Sequence, residues 1–268
     1  IGLMLARLQY LDGLQQHTDP FMFAPSLRVG RRAYRAIIIL LLLLPVLYFA
    51  ALGFSARLTV QAREYATQGR WVEASAMLNR AWQLMPTSDM TLVIHAELLR
   101  QAIPALPPDA QKQRAVLYNE ALMLLVTAEK VNPLRAQIYY IRGMLYQQNP
   151  DLAGPRSAEF AAENYRQTLR VDPRALWARM GYAQMLLAHG RLADARSVLD
   201  EGIGYWYLPE PQAFAYYSLT AQLRRRSGDH TGAAALLQKL DHLQRAARVR
   251  TDPFGPQLKL IQPEPGKP

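Results

Sequence analysis

The stretch from 62 to 86, AREYATQGRWVEASAMLNRAWQLMP, predicts two short helices joined by a turn. The pattern is carried by seven positions: Ala62, Tyr65, Gly69, Ala74, Leu78, Ala81 and Pro86. The small residues allow two helices to approach closely, and the large ones fill the space between them. Gly69 makes the turn and Pro86 ends the second helix. This stretch is therefore a helix–turn–helix unit.

The same pattern returns four more times. Its carriers are Leu92, Ala96, Leu99, Ala121, Leu125, Ala128 and Pro133, then Tyr139, Gly143, Tyr146, Ala161, Tyr165 and Pro173, then Ala183, Leu186, Gly190, Ala195 and Leu199, and last Tyr217, Ala221, Gly228, Ala233 and Leu237. Two of these units carry insertions, one with prolines at 104, 107 and 108 and one that forms a long turn over 149–155.

The spacing of the units resembles that of tetratricopeptide (TPR) repeats. Equivalent residues lie 47 apart between Pro86 and Pro133, 40 apart between Pro133 and Pro173, and 38 apart between Gly190 and Gly228. A TPR unit has about 34 residues, so these units are stretched, and HEAT-like helix pairs of about 40 residues are the competing assignment. We favour TPR because the extra residues fall at turns. We predict an all-α fold over 55–250, a TPR-like solenoid of about five helix pairs, which implies a binding scaffold.

The segment 36–54, AIIILLLLLPVLYFAALGF, contains no charged residue. As a helix it would be about 28 Å long, which matches the hydrocarbon core of a bilayer. Arg28, Arg31, Arg32 and Arg35 precede it, whereas the charges that follow are mixed. We therefore predict a transmembrane helix in the inner (cytoplasmic) membrane, with the repeats on the extracytoplasmic side.

Two segments flank these domains. Residues 1–35 are predicted to be the end of a preceding membrane helix followed by a basic cytoplasmic loop, because the apolar run of residues 1–6 stops at Arg7. Residues 251–268 are rich in Pro and are predicted to be a disordered tail.

The sequence carries no catalytic motif and no cofactor site. The chain has no Cys, which excludes disulfides, Cys-based zinc sites and thiol catalysis. The five His residues lack the spacing of metal ligands, and no GxSxG, HExxH or phosphate-binding GK[ST] motif occurs. We predict no catalytic, metal-binding or cofactor-binding residue in this chain.

A binding groove is the candidate functional site. In TPR proteins, positions two, five, nine and twelve of each first helix line the inner groove. In this sequence those positions are Arg63, Glu97, Arg100, Tyr140, Met144, Gln147, Trp177, Met180, Gln184, Gln222 and Arg225. Rings, Met, amides and a few charges suit an adaptable peptide groove. We predict that Tyr140, Trp177 and Gln184 share one exposed patch that binds a protein partner, although Trp177 and Met180 could instead pack beneath the neighbouring repeat.

Two other features leave alternatives open. The aromatic cluster of residues 205–207, 214, 216 and 217 could stack against sugars, anchor a peptide or pack between repeats. The net charge is +10, and seven Lys/Arg against two Asp/Glu between 224 and 250 make the last helices basic. This indicates either a solvated face or a site for an acidic glycan or lipid; we do not expect nucleic acid.

The layout of apolar segment, basic loop, membrane helix and TPR-like domain resembles the C-terminal region of bacterial O-antigen ligase/polymerase-type membrane proteins. These are multi-span envelope glycosyltransferases that act on lipid-linked sugars. The resemblance implies that the chain is the accessory, protein-binding part of such an enzyme, and no catalytic residue carries over. The alternatives are a self-standing envelope TPR adaptor, such as those serving chaperones, and a binder of acidic ligands through the basic helices.

Overall fold

The computed structural model describes residues 31–107, 109–205 and 207–251, and all regular structure in these ranges is helical. This confirms the predicted all-α fold. Of the predicted membrane-helix end and basic loop at 1–35, residues 1–30 lie outside the described residues, and residues 31–35 are helical. Of the predicted tail at 251–268, Thr251 ends the last helix, and the rest lies outside the described residues. The helices are α1 (Arg31–Thr67), α2 (Trp71–Leu84), α3 (Asp89–Ala102), α4 (Gln111–Val131), α5 (Ala136–Gln148), α6 (Pro150–Ala153), α7 (Ser157–Val171), α8 (Leu176–Ala188), α9 (Leu192–Asp200), α10 (Pro211–Arg226) and α11 (His230–Thr251).

The chain divides into two compact units, residues 1–50 and 51–268. In the first unit, α1 is long and apolar, and every side chain from 39 to 50 is exposed. Within the described residues, α1 is the one helix long and apolar enough to cross a membrane, by length and composition. It contains Pro45 and continues to Thr67, so no turn separates the apolar segment from the first repeat.

The described residues of the second unit form five helix pairs, the number predicted, together with the short helix α6. They are the end of α1 with α2, α3 with α4, α5 with α7, α8 with α9, and α10 with α11. In the first pair, Ala62, Ala74, Leu78 and Ala81 are buried almost completely. Their burial places the small residues between the helices, as the pattern predicts.

Three of the turns between paired helices contain a glycine with a positive φ. Gly69, Gly190 and Gly228 have φ values of +75°, +73° and +82°, a conformation that side chains with a Cβ rarely adopt. The two insertions differ from each other. A 3₁₀ turn, Ile103–Ala105, follows α3, whereas the predicted turn over 149–155 contains the single helical turn α6. Pro150 at its first position favours that helical turn, since proline there has no N–H to satisfy.

A buried ion pair joins two neighbouring inter-repeat loops. Asp89, at the start of α3, accepts hydrogen bonds from Asn132 Nδ2 at 2.8 Å and from Arg135 Nη2 at 3.1 Å. Burial alone would raise the pKa of Asp89, but the hydrogen bonds from Arg135 and Asn132 outweigh it and hold the pKa below its usual range. The loop between the first two repeats is therefore fixed to the next loop by charge.

The turn glycine of the first repeat gives a direct test of backbone conformation. No atom lies within 4 Å of a Cβ added at Gly69, so Gly69→Ala meets only the cost of a positive φ. We expect a loss of about 1–2 kcal/mol in the free energy of unfolding, measured by denaturant titration of the full chain in detergent. Gly204→Ala is the matched control, because Gly204 also has open space and no positive φ. Equal stability of the two variants would contradict the prediction.

His95 in α3 makes the stability of the fold depend on pH. The side chain is 2% exposed, its Nε2 has no hydrogen-bond partner among the described residues, and burial lowers its pKa to about 4. The unfolded chain therefore binds this proton more readily than the folded chain, so stability falls as the pH drops below the ordinary His value near 6.5.

We expect this histidine to destabilise the fold by about 2 kcal/mol between pH 7 and pH 5. His95→Leu should remove that part of the pH dependence, and His242→Gln, at an exposed position of α11, should retain it. Thermal unfolding of the three proteins at both pH values, followed by circular dichroism, measures the difference. A pH dependence unchanged in His95→Leu would show that the buried imidazole is not its cause.

Candidate functional site

The first helices of the repeats form one side of the solenoid. Helices α3 and α5, α5 and α8, and α8 and α10 contact each other in succession. In TPR-like stacking this is the inner side, and the second helices α4, α7 and α9 lie behind it. The predicted groove residues all belong to these first helices.

None of the predicted groove side chains is buried. Four of them are exposed, and the other seven are partly exposed. The exposed residues are Arg63, Gln184, Gln222 and Arg225, and the partly exposed ones are Glu97, Arg100, Tyr140, Met144, Gln147, Trp177 and Met180. The stripe is accessible along its length, but its role in binding stays a prediction.

A cavity of about 430 Å³ opens between α1, α3 and α5. Its walls include apolar side chains of all three helices, and its polar lining includes two predicted residues, Arg63 and Glu97. The apolar residues are Ala66, Val93, Ile94, Leu98 and Ile141, and the polar ones are Arg63, Thr67, Glu97 and Gln101. Such a cavity can take an apolar side chain and bind neighbouring polar groups at its edge.

The predicted register contains two of the nine cavity residues and missed the others, among them Ile94 and Gln101. Both lie on the same helical stripe as Glu97, three residues before and four after it. Arg100, which the register includes, is not among the cavity residues. Its guanidinium donates to Glu97 through Nε at 2.8 Å and to Gln148 Oε1 through Nη1 at 2.6 Å. Arg100 therefore neutralises Glu97 and ties α3 to α5.

Tyr140 and Trp177 lie close together. Their ring centroids are 4.5 Å apart in an edge-on arrangement. Both rings are partly exposed, and they also pack against each other across the contact between α5 and α8. A Cβ at Gly181 would lie 3.2 Å from Cε2 of Tyr140, so α8 approaches this ring closely. Gln184 is exposed two helical turns beyond Trp177, on the same face of α8.

The remaining predicted residues are placed differently. Gln147 is engaged by its own repeat, since its Oε1 accepts a hydrogen bond from the Tyr165 hydroxyl at 2.5 Å. Gln222 and Arg225 lie on α10, and Gln222 donates to Ser218 Oγ at 3.4 Å. The structure thus brings together one set of groove residues around α1 and α3 and a second set around α5 and α8.

The aromatic cluster is mainly a core feature. Tyr207, Tyr216 and Tyr217 are buried, and their ring centroids lie 5.4–6.3 Å apart. The Tyr207 hydroxyl donates to the Gly202 carbonyl at 2.9 Å. These three rings therefore pack between repeats, which is one of the three roles that the sequence leaves open for the cluster.

The basic helices α10 and α11 are partly neutralised. Arg224 pairs with Asp200 at 2.9 Å and lies near Asp229, and Arg245 pairs with Asp241. The Lys239 ammonium lies 4.8 Å from the ring centroid of Tyr217. These contacts are those of a structured, solvated surface. An acidic ligand at these helices stays a prediction, and no group of three or more acidic or His side chains in the described ranges could hold a metal ion.

The comparisons with known proteins agree with a repeat fold. A family model described as the tetratricopeptide repeat matches residues 159–209 and 186–248. These residues span the third repeat's second helix to the last helix, and over them the chain is similar to tetratricopeptide repeats. No curated protein sequence matches the chain.

Similar solved structures include a thermophilic TPR protein from Thermus thermophilus, at 19% identity and a TM-score of 0.47, covering 73% of this chain and 96% of that one. Another is MamA from Desulfovibrio magneticus, at 14% identity and a TM-score of 0.45, covering 72% of this chain and 96% of that one.

Proposed function

We propose that the chain is a membrane-anchored TPR scaffold whose first-helix groove binds an extended segment of a protein partner. The observation that carries this proposal is the cavity between α1, α3 and α5, with an apolar interior and polar groups at its edge. TPR domains in general bind protein partners, and this chain's described residues hold no arrangement of side chains suited to a metal.

The cavity suits a peptide with one apolar anchor. Ile94, Val93 and Ile141 offer apolar contact area, which favours the burial of a Leu-sized side chain by about 1.5–3 kcal/mol. Gln101 and Thr67 can exchange hydrogen bonds with the peptide backbone around that anchor. Further along the groove, Tyr140, Trp177 and Gln184 provide a second contact region with rings and an amide.

Membrane anchoring by α1 is supported by the exposure of its apolar side chains. A run of exposed large apolar residues is unusual for a helix in water and ordinary for one in lipid. Four Arg residues precede the apolar segment, whereas Arg57, Arg63 and Glu64 follow it. The positive-inside rule then assigns the repeats to the extracytoplasmic side of the inner membrane.

The resemblance in layout to O-antigen ligase/polymerase-type proteins supports an accessory role beside an envelope glycan enzyme. In that role the groove recruits or positions a second envelope protein, and the catalytic residues belong to another part of the enzyme. A self-standing adaptor uses the same groove without a catalytic domain. The open reading frame upstream of Ile1 distinguishes the two, since further hydrophobic spans indicate the enzyme and a nearby start codon indicates the adaptor.

A groove substitution should weaken peptide binding. Peptides selected by phage display against the full chain in neutral detergent serve as the probe, and fluorescence anisotropy gives their dissociation constants. Ile94→Glu places a charge in the apolar cavity and should weaken binding at least tenfold, because an unpaired carboxylate is costly there. Met123→Glu on α4, at a side chain that is 66% exposed and outside the groove, is the matched control. Selected peptides that bind both variants as tightly as the wild type would refute the groove.

The orientation of the anchor predicts where reporters are active. Alkaline phosphatase fused after residue 251 should be active, and green fluorescent protein fused at the same place should be dark, because the repeats lie outside the cytoplasm. Replacing Arg28, Arg31, Arg32 and Arg35 by Gln should weaken this bias, whereas replacing Arg57 and Arg63 should not. A fluorescent fusion in the wild-type chain would overturn the topology.

A further inference from the structure

A second cavity lies behind the groove, between α7, α8 and α9. It has a volume of about 530 Å³. Helix α8 contributes Arg179, Tyr182 and Leu186 to its wall, each two residues after a groove position of the same helix. Two residues correspond to about 200° around an α-helix, so this cavity opens on the opposite side of α8 from the groove.

Four guanidinium groups line this cavity, from Arg166, Arg170, Arg179 and Arg191. Arg166 and Arg170 both contact the single carboxylate of Glu163, so one positive charge remains among the three. Arg170 uses only Nη1, toward Glu163 at 3.3 Å and Gln167 at 3.0 Å, among the described residues. The other N–H groups of its guanidinium are available to a ligand. Arg191 is paired with Asp194 at 2.7 Å, and Asp194 and Glu201 are the acidic residues of the lining.

Arg179 is a buried cation whose carboxylate partner among the described residues is largely exposed to solvent. Its side chain is 4% exposed, and its only carboxylate contact among the described residues is Glu201 Oε2 at 3.4 Å, on a side chain that is 63% exposed. Its closer partners are the carbonyls of Pro173, at 2.9 Å from Nη2, and Val198, at 2.8 Å from Nη1. Carbonyl dipoles satisfy its N–H groups but do not cancel its charge, so an anion in the cavity would gain from it.

The preceding repeat shows that the contact of Arg179 with the proline carbonyl does not need a charge. Tyr139 occupies the equivalent position, 40 residues earlier, and its hydroxyl donates to the Pro133 carbonyl at 2.9 Å. Arg179 makes the same contact with the equivalent Pro173 carbonyl. A neutral phenol therefore suffices for the contact with the proline carbonyl, whereas the contact with the Val198 carbonyl and the positive charge are particular to Arg179.

The surroundings of Arg179 are adapted to a long side chain. A Cβ at Gly202 would lie 2.7 Å from Arg179 Cδ and 2.4 Å from the Tyr216 hydroxyl, so glycine leaves room for both. The ring of Tyr205 lies with its centroid 5.8 Å from the Arg179 guanidinium and forms part of the cavity wall. The Tyr182 hydroxyl accepts a hydrogen bond from Arg166 Nε at 3.3 Å, which holds that guanidinium at the cavity.

We propose that this cavity binds a phosphate ester. Guanidinium groups that reach one space from α7, α8 and the α8–α9 turn can donate to several oxygens of a tetrahedral anion at once, whereas a planar carboxylate is satisfied by one guanidinium fork. The phosphate belongs either to a soluble phosphosugar or to a lipid headgroup, and both present the same group to Arg166, Arg170 and Arg179.

The experiment uses the full chain in neutral detergent and isothermal titration calorimetry. The probes are glucose 1-phosphate, short-chain dioctanoyl phosphatidylglycerol and, as the uncharged control, glucose. We expect one of the phosphate esters to bind with a dissociation constant below about 1 mM and glucose not to bind. Tighter binding of glucose 1-phosphate assigns the site to a phosphosugar, and tighter binding of the lipid assigns it to a headgroup. Failure of both esters to bind at about 5 mM overturns the proposal.

The double substitution Arg166→Gln and Arg170→Gln should weaken binding at least tenfold, since it removes two charges from the cavity while both side chains are about half or more exposed. Arg80→Gln with Arg226→Gln removes the same charge at exposed positions of α2 and α10 and should leave binding unchanged. Circular dichroism melts verify that both variants are folded. Equal affinity of the two double variants would show that net charge alone attracts the ligand and would refute the site.

Discussion

The close approach of the paired helices is the constraint on which the rest of this structure depends. In each pair a methyl group or a hydrogen atom faces the partner helix at the point of contact. A Cβ at Gly143 would lie only 3.3 Å from the Ala161 carbonyl oxygen, so a larger residue there would separate α5 from α7. The facing residues, all buried, are Ala62 and Ala74, Ala96 and Ala121, Gly143 and Ala161, Ala183 and Ala195, and Ala221 and Ala233. Larger side chains such as Tyr165 then fill the space beside each contact.

This constraint explains why the repeats could be predicted from the sequence. The small residues of each pair, the glycine turns of the first, fourth and fifth pairs and the proline after each of the first three pairs all act within about 40 residues. Their spacing therefore reports the local structure directly. The insertion at 149–155 shows the limit of such an argument. Pro150 was compatible with either a turn or a helix start, and the choice of one helical turn depends on its capping by Gly154, whose φ is +82°.

The candidate site was predictable only in part, because it combines local and non-local features. A helical stripe follows from the 3.6-residue period, and it includes Arg63 and Glu97, which line one cavity, as well as Tyr140 and Trp177, whose rings lie together. Ile94 and Gln101 were missed because the cavity depends on how three successive first helices stack. Arg179 was missed for a similar reason. In the sequence it is one of many Arg residues, and its burial follows from contacts with the loop carbonyl of Pro173 and the α9 carbonyl of Val198.

In this repeat architecture, the residues at the contacts between paired helices differ from those that line the groove and the second cavity. Helix α8 contributes to both the groove and the second cavity, with Trp177 on one side and Arg179 on the other, while Ala183 in the same helix is buried. The packing stripe needs small residues only where the paired helices touch. The other positions can vary between repeats, as Tyr139 and Arg179 do at one equivalent site. A solenoid of this kind can therefore carry different ligand chemistry on its inner and outer sides, because the contacts that hold it together use neither.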